Sequence, residues 1–224
     1  MSSYLLETVT KAHQNEVLSF LETNFMKQES LSKASGMTRK AFTPCAEAVF
    51  NRCVVTPTSF LFRDTKSEDI AGLVLSSVWL KPDQNAPPHK KDFEFNVDPS
   101  DENDIKTDTV GVILNNIHDK FFKLKPDLDC VLHLEMISVS PLHTRKGLAS
   151  GLYDVTENLV KEKKLGLQAI AMEASSKANQ TLSKKRNYEL IAEEILSDYQ
   201  DDQGKQILVC DDGTTSVHLM IKEF

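Results

Sequence analysis

The sequence predicts an α/β fold on a mixed central sheet, parallel in its middle and antiparallel at its flanks. Three observations lead there. Short runs rich in β-branched and aliphatic residues alternate with stretches whose apolar residues recur every three or four positions, the periods of strand and helix. Two of the strand-like runs, Ile70–Leu80 and residues 167–173, are apolar almost throughout, so each needs cover on both faces. At 224 residues, with no repeat or compositional break, the chain is long enough to bury a sizeable core as one domain spanning 1–224.

In order, residues 4–9 form a first strand and Thr10 caps the helix that follows. Val17, Leu21 and Phe25, with Leu18 beside them, make one apolar face, and that helix ends between Met26 and Glu29. A second helix covers residues 44–52. Residues 59–63 and 70–80 are strands joined by the polar turn 64–69. Residues 81–108 interrupt the alternation with Pro82, Pro87, Pro88, Pro99 and a run of acids, an excursion rather than a linker because the alternation resumes directly. A helix over 109–124 carries Val110, Ile113, Leu114, Ile117, Phe121 and Leu124 on one stripe. Cys130–Val139 is a strand, and the amphipathic run 150–164 after it carries Leu152, Val155 and Leu159, with Leu148 just ahead. Lys161, Lys163 and Lys164 complement that helix's dipole, and Gly166 stops it. Residues 167–173 are a buried strand, 178–186 a short helix closed at Asn187, and 188–196 and 216–224 the last two strands.

The segment between strand 130–139 and the next helix carries the chemistry. The first four amides of a helix lack internal partners and sit at the positive end of its dipole, so an anion docks there. Gly147 places no side chain between its amide and a ligand, and Arg145 and Lys146 add positive charge. A pyrophosphate suits such a turn.

Ile137-Ser138-Val139-Ser140-Pro141, followed by Thr144-Arg145-Lys146-Gly147-Leu148-Ala149, resembles the acetyl-CoA-binding signature of the GNAT superfamily of N-acetyltransferases. The family's first Arg or Gln is Thr144 here. The likeness runs along most of the chain and is strongest to the invertebrate arylalkylamine N-acetyltransferases. It includes Lys27-Gln28-Glu29-Ser30-Leu31 after the first helix, Ser175-Ser176-Lys177-Ala178-Asn179 after a later strand, and residues 217–224 as the last strand. The resemblance implies a GNAT fold whose two parallel central strands splay apart. It also implies acetyl-CoA as co-substrate, its pantetheine arm lying along the exposed strand edge, with contacts from Ile137, Ser138, Val139, the turn residues Thr144, Arg145, Lys146, Gly147, Leu148 and Ala149, and Asn179.

Acetyl transfer to an amine needs a held thioester, a polarised carbonyl and an uncharged nitrogen. An alkylamine with a pKa near 10.4 is neutral in only on the order of one molecule in a thousand at pH 7, so a base must take its proton. The resemblance places Glu29 at the family's catalytic glutamate; by spacing alone it is a helix-end residue. His133 and Glu135 alternate on strand 130–139, share a face, and occupy positions comparable to two histidines of vertebrate relatives, which makes them secondary candidates. Ser175 matches a serine implicated in proton transfer or substrate handling; for Ser175 and Asn179 alike the plain alternative is helix capping. A general-acid tyrosine is not evident in residues 179–185. Carbonyl polarisation falls to a backbone amide near Ile137 or Ser138.

Four widely spaced cysteines without a Cys-x-x-Cys pair point to neither zinc nor a disulfide framework. A net charge of −7 argues against a nucleic-acid surface. The first ten residues lack a basic start and an apolar core, and no segment reaches membrane-spanning length, so the sequence predicts a cytoplasmic protein with no membrane partner. The acids of 92–108 are expected to be a solvated loop. Phe42, Phe50, Trp79, Phe93 and Phe95 are candidates for an aryl pocket. The expected reaction is direct acetylation of a small arylalkylamine in a ternary complex; alternatives are polyamine or protein-lysine acetylation, or a non-catalytic CoA-binding protein.

Overall fold

The computed structural model describes residues 3–82, 95, 97–98, 100–163 and 165–224. Pro87, Pro88, Asp92, Phe93, Pro99 and Lys164 lie outside them. Seven strands form one sheet: β1 (Tyr4–Thr8), β2 (Phe60–Asp64), β3 (Ile70–Leu80), β4 (Cys130–Val139), β5 (Ala169–Ala174), β6 (Glu189–Ile195) and β7 (Ser216–Glu223), in the order β1-β2-β3-β4-β5-β7-β6. Only β4 and β5 run parallel, and they pair through just Val131–His133 against Ala169–Ala171. Beyond His133 the strands part, and among the described residues no strand bonds that side of β4. The splayed parallel centre with antiparallel flanks is therefore present.

Side chains alternate between two cores, and the alternation on β4 changes phase. Leu132 and Leu134 pack toward the α7 side (α7, Leu148–Lys161), whereas Val131 and Met136 pack on the opposite face. The cause is a bulge: Leu75 of β3 faces Met136 while the next residue, Ser76, faces Leu134, leaving Glu135 as the extra residue. Since an inserted residue shifts the period of two, His133, Glu135 and Met136 all reach the face covered by the N-terminal helices.

Those helices differ from the sequence expectation in ways that matter. The first runs as α1 (Gln14–Phe20), a π turn over Leu21–Phe25, and α2 (Met26–Gln28), followed by an unanticipated α3 (Ser30–Ser35). α4 covers Arg39–Cys53, starting five residues before the expected Pro44 because Thr38 Oγ1 accepts from the Ala41 amide, 3.3 Å away. Pro44 sits inside it, past the first turn, where it leaves the Lys40 carbonyl without its helical amide donor. α5 (Glu102–His118) begins seven residues before the expected Thr109, because the Asp101 carboxylate caps the amides of Asn103 and Asp104. It stops at His118, and α6 (Phe121–Leu124) follows, so the expected single helix is two and Leu124 is exposed. α8 covers Lys177–Lys185, closed by Asn187 at φ 63° as expected. No helix of the described residues is long and apolar enough to cross a membrane.

Candidate active site

Glu29 stands where one helix stops and another begins. Its amide bonds the Phe25 carbonyl (2.8 Å), its backbone then turns extended (φ −65°, ψ 135°), and its carboxylate caps α3, accepting from the amides of Leu31 (3.0 Å) and Ser32 (2.7 Å) and from Ser32 Oγ (2.8 Å). The helix-end reading is thus real, and the same oxygens do more. Ser175 Oγ donates to Glu29 Oε1 at 2.8 Å across 146 residues of chain. The structure brings these two sequence candidates into direct contact, both half-buried at the wall of a cleft. The π turn just before Glu29, a local device often found at functional sites, presents Phe25 to the same cleft.

His133 and Glu135 also meet, but inside a charge network. His133 Nε2 lies 2.5 Å from Glu173 Oε2 and its Nδ1 3.4 Å from Glu135 Oε1. Arg52 grips Glu135 with two parallel bonds of 2.7 and 2.6 Å, and Ser77 Oγ donates to it at 2.6 Å. Trp79 stacks on His133 with ring centres 3.6 Å apart and also touches His118, whose Nδ1 is 3.7 Å from Glu173. Burial opposes charge on His133, Glu135 and Glu173, yet the mutual attraction wins: Glu173 and Glu135 push His133 up to about 9, while His133 and the Arg52 fork hold Glu135 well below the usual carboxylate range. Glu173 is lowered in the same way, chiefly by His133. A carboxylate so stabilised is a poor proton acceptor at neutral pH, and an imidazole already protonated has no lone pair to offer. His118, His133 and Glu173 also bring three potential metal-ligand atoms within 4.8 Å of one another, though His133 and Glu173 are already spent on each other.

On the other side of the cleft the exposed length of β4 leads into Pro141–His143, one 3-10 turn, and on to α7. Arg145 (φ 59°) and Gly147 (φ 79°) both adopt left-handed backbone, which curls the turn ahead of the helix amides. A Cβ at Gly147 meets nothing within 4 Å, so the glycine serves conformation and open access rather than relief of a clash. Thr144 Oγ1 donates to the Pro141 carbonyl (3.2 Å): the hydroxyl standing where the resemblance expects Arg or Gln ties the turn to itself. Arg145 and Lys146 are exposed beside it. These donors, charges and the unpaired strand edge fit a phosphate-bearing thioester with an amide-rich arm. Asn179 lies at the cleft wall, where its Oδ1 accepts from Tyr153 OH at 2.7 Å. Tyr153 is fully buried, and burial pushes its hydroxyl up, so it orients Asn179 instead of exchanging protons with solvent.

The cleft has two sections that share Phe25, Glu29, Glu135, Met136, Glu173 and Ser175. One continues along Ile137, Ser176 and Asn179 toward the turn. The other opens between Leu31, Met37, Phe42, Cys45, Phe95, Val110 and Leu114. Its carboxylates are all at the shared junction, and the rest of its wall is apolar but for Ser32. Of the aromatic candidates, Phe42 and Phe95 line it, Phe50 is core and Trp79 packs on the histidines.

Three partners escaped the sequence reading. Arg52 and Tyr153 act on a strand and helix far along the chain, and Asp212 on the two segments carrying Glu29 and Ser175. A buried-face arginine in α4 was the only signal available for any of them.

The fold is one shared with solved N-acetyltransferase structures. No protein-family model matches the chain, and no curated protein sequence does, but solved structures match over its whole length. Arylalkylamine N-acetyltransferase 2 of Aedes aegypti superposes with a TM-score of 0.79 at 21% identity, covering 99% of both chains. The Drosophila melanogaster polyamine N-acetyltransferase, described as forming N-acetylagmatine, gives 0.74 at 14% identity over 99% of this chain and 100% of that one. The C-terminal condensation domain of Ebony, solved with beta-alanyl-dopamine, gives 0.70 at 16% identity over the full length of both. Likeness at these identities establishes the fold, and the three neighbours differ in what they handle.

Proposed function

We propose that this chain is an acetyl-CoA-dependent N-acetyltransferase whose acceptor is the primary amine of a small arylalkylamine, attacking directly in a ternary complex. The observation that carries the reading is the Glu29–Ser175 pair at the junction of an apolar pocket with the splayed end of β4 and β5.

Bound acetyl-CoA supplies an activated acetyl thioester. The residues of the chain do the rest. The amides and charges of 144–149 hold phosphate, and the free edge of β4 near Ile137 and Ser138 offers backbone donors to an oxygen that gains charge. Ser175 Oγ donates to Glu29, so its lone pairs remain open to an amine N–H. A proton accepted there releases the serine's own proton to Glu29 Oε1, leaving the nitrogen uncharged. No cysteine nucleophile is needed.

Acceptor class follows from where the acids sit. Asp101 caps α5, Asp104 accepts from the Asp98 amide (2.6 Å) and Glu102 pairs with Lys106 (2.7 Å), so these acids of the excursion are engaged in local structure and do not line the cleft. Glu135 and Glu173 do line it, but Arg52 and His133 answer their charge. A polyamine would find no acid deep in the apolar section. Burying about 100 Å² of an aryl ring there stabilises by about 2.5 kcal/mol.

The test is incubation with acetyl-CoA and serotonin, dopamine, tyramine, phenethylamine, spermidine, agmatine and a lysine peptide, read by mass spectrometry. The expected result is kcat/KM for ring-bearing amines at least about tenfold above the rest, the ring burial being the cause. Preference for spermidine or agmatine replaces the acceptor class. Tight CoA binding without turnover of any amine replaces the enzyme by a CoA-binding protein.

A further inference from the structure

Glu29 and Ser175 belong to segments with no sequence proximity, each placed immediately before a helix: Glu29 before α3, Ser175 two residues before α8. A single carboxylate joins those two helix starts. Asp212 Oδ2 accepts from Ser30 Oγ at 2.7 Å, from the Lys177 amide at 3.2 Å and from Thr214 Oγ1 at 2.9 Å, while its Oδ1 accepts from the Thr214 amide at 3.0 Å. Thr214 Oγ1 in turn lies 2.9 Å from the Lys177 amide, so the start of α8 is held by both residues. The neighbouring Cys210 Sγ sits 3.6 Å from the Ser30 carbonyl, fixing the loop against the same residue. These bonds hold Asp212 below the usual carboxylate range even though burial opposes it, so it is charged at neutral pH and each bond is charge-assisted.

We propose that Asp212 is a positioning residue that sets the Glu29–Ser175 contact. The inference rests on the reading of that pair as the proton-accepting machinery. Ser30 follows Glu29 directly and Lys177 follows Ser175 by two, so a carboxylate that fixes both clamps the two ends of one 2.8 Å hydrogen bond. Without it, the loop keeps Cys210 against the Ser30 carbonyl and Thr214 against the Lys177 amide, but loses the one carboxylate that bonds both helix starts at once. Misplacement of reacting groups by about 1 Å costs on the order of a hundredfold in rate.

The experiment is a double-mutant cycle on kcat, with KM for acetyl-CoA measured in parallel. Asp212→Ala is expected to lower kcat about 10- to 100-fold with KM for acetyl-CoA within about twofold, since the turn 144–149 is untouched. In a Glu29→Gln background the same change is expected to cost less than about threefold, because the contact it positions no longer accepts a proton. Asp211→Ala, which removes an exposed ion pair with Lys33 from the same loop, serves as the control for loop damage and is expected to change kcat less than about twofold. Ser30→Ala removes one arm of the clamp alone and replaces Asp212→Ala should that variant not fold; its fall in kcat is again expected to vanish beside Glu29→Gln. Equal losses in both backgrounds, or a kcat for Asp212→Ala within twofold of the parent, overturn the proposal. If Glu29→Gln is itself silent, the base assignment fails separately, and the cycle is run against Ser175→Ala. A clamp that then loses its effect stands without Glu29, and one that keeps it falls.

Discussion

The two ends of the cleft are built in opposite ways. The turn from Ser140 to Ala149 is contiguous, exposed and made largely of backbone: two left-handed residues, a helix start and a strand edge freed by the splay. The junction at the other end draws Glu29, Arg52, His133, Glu135, Glu173, Ser175 and Asp212 from five separate stretches of chain, and its work is done by side chains in pairs. A backbone site tolerates substitution of its residues as long as the curl survives. A side-chain junction answers to single atoms, so damage should be graded between them, severe at the junction and mild at the turn.

The largest effect is expected at Glu29. Glu29→Gln keeps the shape and leaves one amide oxygen able to cap α3, but it removes the proton acceptor, so kcat should fall by roughly a hundred- to ten-thousand-fold with acetyl-CoA affinity little changed. The deficit should shrink as pH rises toward the amine's own pKa, where more acceptor arrives neutral. Pre-steady-state kinetics from pH 7 to 10 checks both parts, and near-normal turnover at neutral pH would falsify the base assignment.

Next in size is the stability of the buried network. Arg52→Met leaves Glu135, whose side chain is 1% exposed, short of its bidentate partner, at a cost of about 3 kcal/mol. The network also dictates the pH dependence. His133 is raised from 6.5 to about 9, so its contribution is complete below pH 6.5 and lost as pH climbs through 9. Glu135 and Glu173 are depressed, so theirs is complete above about pH 4.5 and lost on acidification. Thermal melts should therefore show highest stability between about pH 4.5 and 6.5 with a decline toward pH 10, and His133→Gln should flatten the alkaline limb. An unchanged limb in that variant would place the titration elsewhere.

The same contrast governs what the sequence could show. The turn was legible because its information is local: a strand, a glycine flanked by basic residues and a helix start follow one another in print. The interior place of two strands was legible for a similar reason, since Ile70–Leu80 and the stretch around Ala169–Ala174 are apolar almost throughout. Helix starts were misjudged wherever a cap outweighed composition, at Thr38 and Asp101, and α3 was missed because it exists only once the Glu29 carboxylate caps it. Glu29 and Ser175 were found through a resemblance, but their contact was not, and neither was the bulge that brings Met136 to the face His133 and Glu135 share. Nothing in a linear pattern of period two marks the one residue that interrupts it.

The smallest effect, and the sharpest probe of the turn, lies at Arg145. Its backbone is left-handed (φ 59°), a conformation that costs an L-residue about 1–2 kcal/mol and glycine nothing, partly offset by glycine's greater freedom when unfolded. Arg145→Gly should thus raise stability by about 0.5 kcal/mol while removing one positive charge from beside the helix amides. Because that charge is exposed and screened, acetyl-CoA affinity should drop only about two- to fivefold, and the drop should fade as salt is raised. Two signs from one substitution separate the roles of the residue: calorimetry reports the gain in Tm, and titration at 20 and 300 mM salt, roughly a fourfold change in screening length, reports the loss in affinity. A turn that holds phosphate through its amides survives Arg145→Gly with affinity diminished but not abolished. Complete loss would mean that the guanidinium, and not the backbone curl, is what grips the ligand, and a variant with unaltered affinity at both salts would move the phosphate away from this turn.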